Sequence, residues 1–115
     1  MHTTDMAFDV ELAERIRDIL AAEPGLTEKK MFGGLAFLIN GHMAVGASSQ
    51  GGLLLRVDPE RTDDLVAPPH VGRFVMRGRE MDGWLRVDKA AADSEQRLTE
   101  WVVLGVAYAR TLPPK

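Results

Sequence analysis

Asn40-Gly41 lies between two apolar runs, Lys30–Ile39 and His42–Ala47, and constrains this chain more than any other dipeptide in it. Both central residues of a type I′ turn need positive φ, which asparagine and glycine tolerate best. That turn also matches the twist of an antiparallel strand pair. A hairpin is therefore expected here. The next turn-forming stretch, Ser48-Ser49-Gln50-Gly51-Gly52, is equally short, so Leu53–Val57 follows as the third strand of a meander. Parallel neighbours need crossovers of about a dozen residues or more, so connections this short exclude a doubly wound sheet.

Helices bracket the strands. Phe8, Leu12, Ile16, Ile19 and Leu20 recur at helical spacing, with Glu11, Glu14, Arg15, Arg17 and Asp18 on the other side. Asp9 caps this helix, which runs to about Ala22 and stops at Pro24-Gly25. Asp58-Pro59 opens a short helix over Glu60–Val66. Strands are expected at Arg73–Arg77 and Trp84–Val87, joined across Gly78–Gly83, and Ser94 caps a last helix from Glu95 to Thr111. Gly33-Gly34 interrupts the first strand, where paired glycines predict a bend or bulge. The order is helix, three strands, short helix, two strands, helix. It predicts a single domain over residues 1–115 of the α+β class, two-layered, with an antiparallel sheet of about five strands and helices mainly on one face.

The last helix carries no charge between Trp101 and Ala109. Leu98, Trp101, Val102, Gly105, Ala109 and Leu112 form one face, leaving Val103, Leu104, Val106 and Ala107 as a candidate subunit face beside the alternative of burial on a second side.

Composition removes whole classes of chemistry. With no cysteine there are no disulfides, thiolate metal sites or cysteine nucleophiles. The net charge of −3 argues against a dedicated nucleic-acid binder. The N-terminus lacks a secretory pattern and no apolar run approaches a bilayer's thickness, so a cytoplasmic domain without membrane association is expected. His2, His42 and His70 show no metal-ligand spacing, Ser48, Ser49 and Ser94 fit turns and caps, and adjacent Asp63-Asp64 diverge on a helix. The glycine pairs lack the lysine and helix of a phosphate loop. No metal, no cofactor and no catalytic residue are assigned.

Strand alternation supplies the positive lead. If Leu53, Leu55 and Val57 face the core, then Leu54, Arg56 and Asp58 lie opposite; Leu85 and Val87 leave Trp84, Arg86 and Asp88 opposite. Taking Phe74 and Met76 as core puts Arg73 and Arg77 on the same outer face. Arg56, Arg73, Arg77, Trp84 and Arg86 thus form a candidate partner-binding surface. Arginine with an aromatic suits a protein partner, and also suits single-stranded nucleic acid on an open sheet face. Asp58 and Asp88 offer a third reading, a solvated surface of Arg–Asp pairs.

Met31-Phe32-Gly33-Gly34-Leu35-Ala36-Phe37, Asn40-Gly41-His42-Met43-Ala44, Leu54-Leu55-Arg56-Val57, Gly83-Trp84-Leu85-Arg86-Val87 and the closing Ala107-Tyr108-Ala109-Arg110-Thr111-Leu112-Pro113 resemble the TfoX N-terminal domain family, over Lys30 to Lys115. The resemblance implies an antiparallel α+β fold with helices over one sheet face, and a link to competence and transcription regulation. Members that regulate competence carry a second, helical domain after this one, whereas this sequence stops at Lys115. The expectation is a stand-alone, non-catalytic regulatory or binding domain that recognises a protein partner and can form a homodimer. Single-stranded nucleic-acid binding and a small-molecule enzyme with a site near His42 and His70 are the alternatives.

Overall fold

A computed structural model describes residues 9–31 and 33–114. Helix α1 (Val10–Ile19) starts where the Asp9 carboxylate accepts the Leu12 N–H at 3.1 Å, and it buries Leu12, Ala13 and Ile16. Phe8, expected on that stripe, lies outside the described residues.

Six strands follow among the described residues, where about five were expected: β1 (Leu26–Met31), β2 (Gly34–Ile39), β3 (His42–Ala47), β4 (Leu53–Arg56), β5 (Val71–Met76) and β6 (Arg79–Val87). They form one sheet in the order β1-β2-β3-β4-β6-β5, every pairing antiparallel. The segment expected as a single strand over Lys30–Ile39 is instead the meeting point of two. Met31 pairs with Gly34 and Leu26 with Ile39, so the glycine pair turns the chain rather than bending one strand. Gly33 has φ 78°, and a Cβ on Gly34 would collide with the Ala47 carbonyl. Leu26–Met31 escapes a periodicity reading because it is an edge strand, exposed at its four central residues, with Lys29 and Lys30 discouraging further strand pairing.

Asn40-Gly41 makes the expected turn, with φ 53° and 88°. Asp58 accepts the Glu60 N–H at 2.9 Å and opens a 3-10 turn (Pro59–Arg61) that leads into a one-turn helix, α2 (Thr62–Leu65). A second 3-10 turn (Lys89–Ala92) precedes α3 (Glu95–Thr111), which Ser94 caps through the Arg97 N–H.

The core lies between one sheet face and the two long helices. Phe37, Ile39, Val45, Leu53, Leu55, Val57, Leu85 and Val87 project from the sheet and meet Leu12, Ile16, Leu98, Val102 and Ala109, all essentially without solvent exposure. The inner face of α3 holds Val106 as well as the expected Gly105, and Leu104, also expected on the subunit face, packs against the same core. Val103 and Ala107 are exposed. The four residues proposed as a subunit face therefore do not share one, because Val106 turns inward with Val102 and Ala109. No helix among the described residues is long and apolar enough to cross a membrane.

Candidate recognition site on the open sheet face

Among the described residues no helix covers the second sheet face, yet it is not a bare polar surface. Alternation directs Ala36 and Leu38 from β2 and Leu54 and Arg56 from β4 to this side, and one extra residue in β3, between Met43 and Val45, brings Met43 there too. The pairs Leu38–Met43 and Arg56–Trp84 and the row Ala36–Gly46–Leu54–Arg86 run across it. Ala36, Met43 and Leu54 are buried there, under partly buried Met31, Leu38, Phe74 and Trp84.

An irregularity in the last hairpin supplies the cover. Arg73 pairs with Leu85, but the next residue, Phe74, pairs with Met81, so β6 carries Asp82-Gly83-Trp84 as an extra loop. Gly83 takes φ 86° within it. Buried Thr62 fixes this bulge: its hydroxyl accepts the Gly83 N–H at 2.8 Å and donates to the Pro59 carbonyl at 2.8 Å. The Val57 N–H donates to the Gly83 carbonyl at 2.9 Å. Beyond the bulge Phe74, Met76 and Met81 face Met31 and Met43 across a concavity of about 380 Å³. A second hollow of about 240 Å³ shares Met31, Met43, Leu54, Phe74 and Met76 and continues to Arg77 and Ser48–Gln50. Four of the chain's six methionines line the larger one, which makes a wall of flexible thioethers able to repack around different apolar shapes.

The five residues expected on one outer face part company. Arg56, Trp84 and Arg86 do share the open face. Arg73 does not: it precedes the register shift, sits opposite Leu85, and is held by Asp82 at 2.9 Å and by Asp63. Arg77 lies in the tight Arg77-Gly78 turn, with φ 54°, and β6 begins at Arg79 where a loop was expected. Phe74 and Met76, expected in the core, line the open groove. The strand keeps its period, but the faces are exchanged: Val71 and Arg73 sit opposite the inward Val87 and Leu85, so Phe74 and Met76 fall on the open face, which is itself apolar and so not distinguishable from the core side by hydrophobicity. Asp88 pairs with Arg86 at 2.6 Å, while Asp58 serves as a cap. The methionines of the groove were visible in the sequence, but only the fold brings Met31 and Met81 together.

The sequence profile of the TfoX N-terminal domain family matches residues 18–109. The chain belongs to that family. No curated protein and no solved structure matches it. The matched span runs from the end of α1 into α3 and contains all six strands, so the whole groove lies within the TfoX N-terminal domain. It begins earlier than Lys30, where the resemblance was expected to start.

Charge in this TfoX N-terminal domain is distributed unevenly. The Arg73 guanidinium is pushed above its ordinary range by hydrogen bonds to Asp63 and Asp82. Arg17 holds Glu28 below the usual carboxylate range, and Lys89 with the Leu12 N–H does the same for Asp9. These ion pairs lie outside the groove. Arg56 is held differently: its guanidinium carbon stands 4.9 Å from the Trp84 ring centroid and 5.8 Å from that of Tyr108. His42 Nε2 lies 2.6 Å from the Pro113 carbonyl and His70 Nδ1 lies 3.4 Å from Asp88, so the two histidines have separate partners; His2 is outside the described residues. No group of three or more His, Asp or Glu side chains that could hold a metal occurs among the described residues.

Proposed function

We propose that this TfoX N-terminal domain is a non-catalytic recognition domain, which seats apolar side chains of a protein partner in the methionine-lined groove of its open sheet face. The observation that carries this reading is the groove itself. Leu38, Phe74, Met76 and Met81 stand partly exposed around a concavity large enough for several side chains, on the face that no helix covers among the described residues. Flexible methionines around an aromatic anchor suit a protein segment. The family supplies the context for a regulatory role linked to transcription or competence in the cytoplasm.

The same geometry weakens the nucleic-acid alternative. A base-stacking surface needs an indole ring open to the base. Here Arg56 covers the Trp84 ring, and two of the five expected residues are withdrawn, Arg86 by pairing with Asp88 and Arg73 by lying on the other face. For an enzyme near His42 and His70, the groove is in the wrong place, since neither histidine lines it.

Photo-methionine incorporated in living cells tests the reading. Irradiation is expected to crosslink a protein through peptides containing Met76 or Met81, and Phe74→Glu is expected to abolish those crosslinks without lowering the urea midpoint. Crosslinks confined to other parts of the chain, or unaffected by F74E, would overturn it.

A further inference from the structure

The groove is charged as well as apolar, and its charge has one sign. The chain carries 17 Asp and Glu against 14 Lys and Arg, yet among the described residues no carboxylate lines either hollow, whereas Lys29, Arg56 and Arg77 do. Outside the two hollows Arg17, Arg86 and Arg110 each lie 2.6 Å from a carboxylate oxygen and Arg73 lies 2.9 Å from one. Among the described residues neither Arg56 nor Lys29 has an acidic partner.

Arg56 is positioned without being neutralised. Rings near a guanidinium attract its charge but leave its in-plane N–H groups to other acceptors. The side chain is half-buried beside an apolar wall, where the local dielectric is lower than in water and an incoming anion is held more strongly. Resting on the groove reading above, we infer that the partner segment is both apolar and acidic: its apolar side chains fill the methionine pocket, and a carboxylate on the same segment pairs with Arg56, with Lys29 contributing from the same hollow. An apolar segment bearing lysine or arginine is disfavoured by like charge.

Amide NMR titration of the isotope-labelled domain separates the two layers of this argument. The probes are acetyl-Leu-Leu-Phe-Glu-amide, the same peptide ending in Gln or in Lys, and decanoate. The expected result is saturable shifts at Leu38, Met43, Leu54 and Trp84, with the Glu peptide about fivefold tighter than the Gln peptide and the Lys peptide weakest. The Glu preference should disappear in Arg56→Gln, diminish in Lys29→Gln, and survive in Arg86→Gln, whose side chain is paired with Asp88. Arg56→Gln also removes the stack on Trp84, so Lys29→Gln on the exposed edge strand decides the matter if R56Q does not fold. Equal affinity for the three peptides would overturn the acidic assignment and leave the apolar groove standing. No groove shift with any peptide would overturn both. Shifts with decanoate alone would make the ligand a free amphiphile and overturn assignment to a protein segment.

Discussion

Gly105 of α3 lies directly against the Ala44 carbonyl of β3, so close that an added Cβ would collide with that oxygen and stand 2.9 Å from a Leu55 methyl. Ala44 is the extra residue of a bulge, since Phe37 pairs with Val45 but Leu38 pairs with Met43. The bulged strand and the side-chain-free helix position together let α3 settle onto the sheet.

Two effects oppose each other in Gly105→Ala. Alanine favours a helix interior over glycine by about 1 kcal/mol. Overpacking a close contact costs about 1–3 kcal/mol, and here the obstacle is sheet backbone, which cannot rotate aside. The expected outcome is net destabilisation by about 1–2 kcal/mol, measured by urea unfolding. A G105A domain more stable than the parent would mean that α3 stands farther from β3.

Thr62 joins stability to the groove. It is fully buried, and its hydroxyl serves both the Pro59 carbonyl and the Gly83 N–H. Thr62→Val preserves shape but leaves that N–H without a partner, at a cost of about 1–3 kcal/mol. Because Gly83 precedes Trp84, the groove should loosen too, visible as a shift in Trp84 amide and indole resonances. Thr62→Ser should restore both. A T62V domain with parental stability and unchanged Trp84 signals would sink the proposed linkage.

The contrast between α3 and the last hairpin shows what a sequence can reveal of such a fold. Ser94, an uncharged apolar stretch and Pro113 bound a helix at the limits observed, because cap and period are local signals. The Asn40-Gly41 turn is local in the same way. In β4 and the end of β6, alternation assigned Leu53, Leu55, Leu85 and Val87 inward and Arg56, Trp84 and Arg86 outward, as the register has them. In β5 the period is intact but the inward side was misassigned, because Phe74 and Met76 face a second apolar surface whose cover depends on the β6 bulge and on Thr62, twenty-one residues away from Gly83. The edge strand Leu26–Met31 failed for another reason: with one side unpaired and most residues in water, it carries no apolar period to read. The groove combines both obstacles, since Met31 comes from the edge strand and Met76 and Met81 lie beyond the bulge.

Asp9 gives a pH-dependent prediction. Its carboxylate caps α1 and sits 2.9 Å from Lys89, and both contacts hold its folded pKa below the model-peptide value of 3.8. A depressed folded-state value means that the stabilisation is complete above about pH 4 and is lost as pH falls through the folded value. Asp9→Ala should cost about 1 kcal/mol at pH 7, the usual worth of an N-cap. Asp9→Asn, which retains an acceptor but not the charge, should cost less. The gap between parent and D9A should narrow in unfolding experiments at pH 3. A gap that is constant from pH 7 to about pH 2 would show that the carboxylate's charge contributes nothing.

Oxidation reports on the groove wall without any ligand. Met31, Met76 and Met81 are partly exposed around the hollow, whereas Met43 is 9% exposed beneath Leu38 and Trp84. Thioether oxidation follows access, so mild peroxide should convert Met31, Met76 and Met81 well before Met43, as read by peptide mass spectrometry. Each sulfoxide places a polar group in an apolar wall, so oxidised domain should lose affinity for the Leu- and Phe-containing peptides while its helix content holds. If Met43 oxidised as fast as Met76, the hairpin beyond the Gly83 bulge would not be packed over the sheet, and the groove would lack the wall that gives it depth.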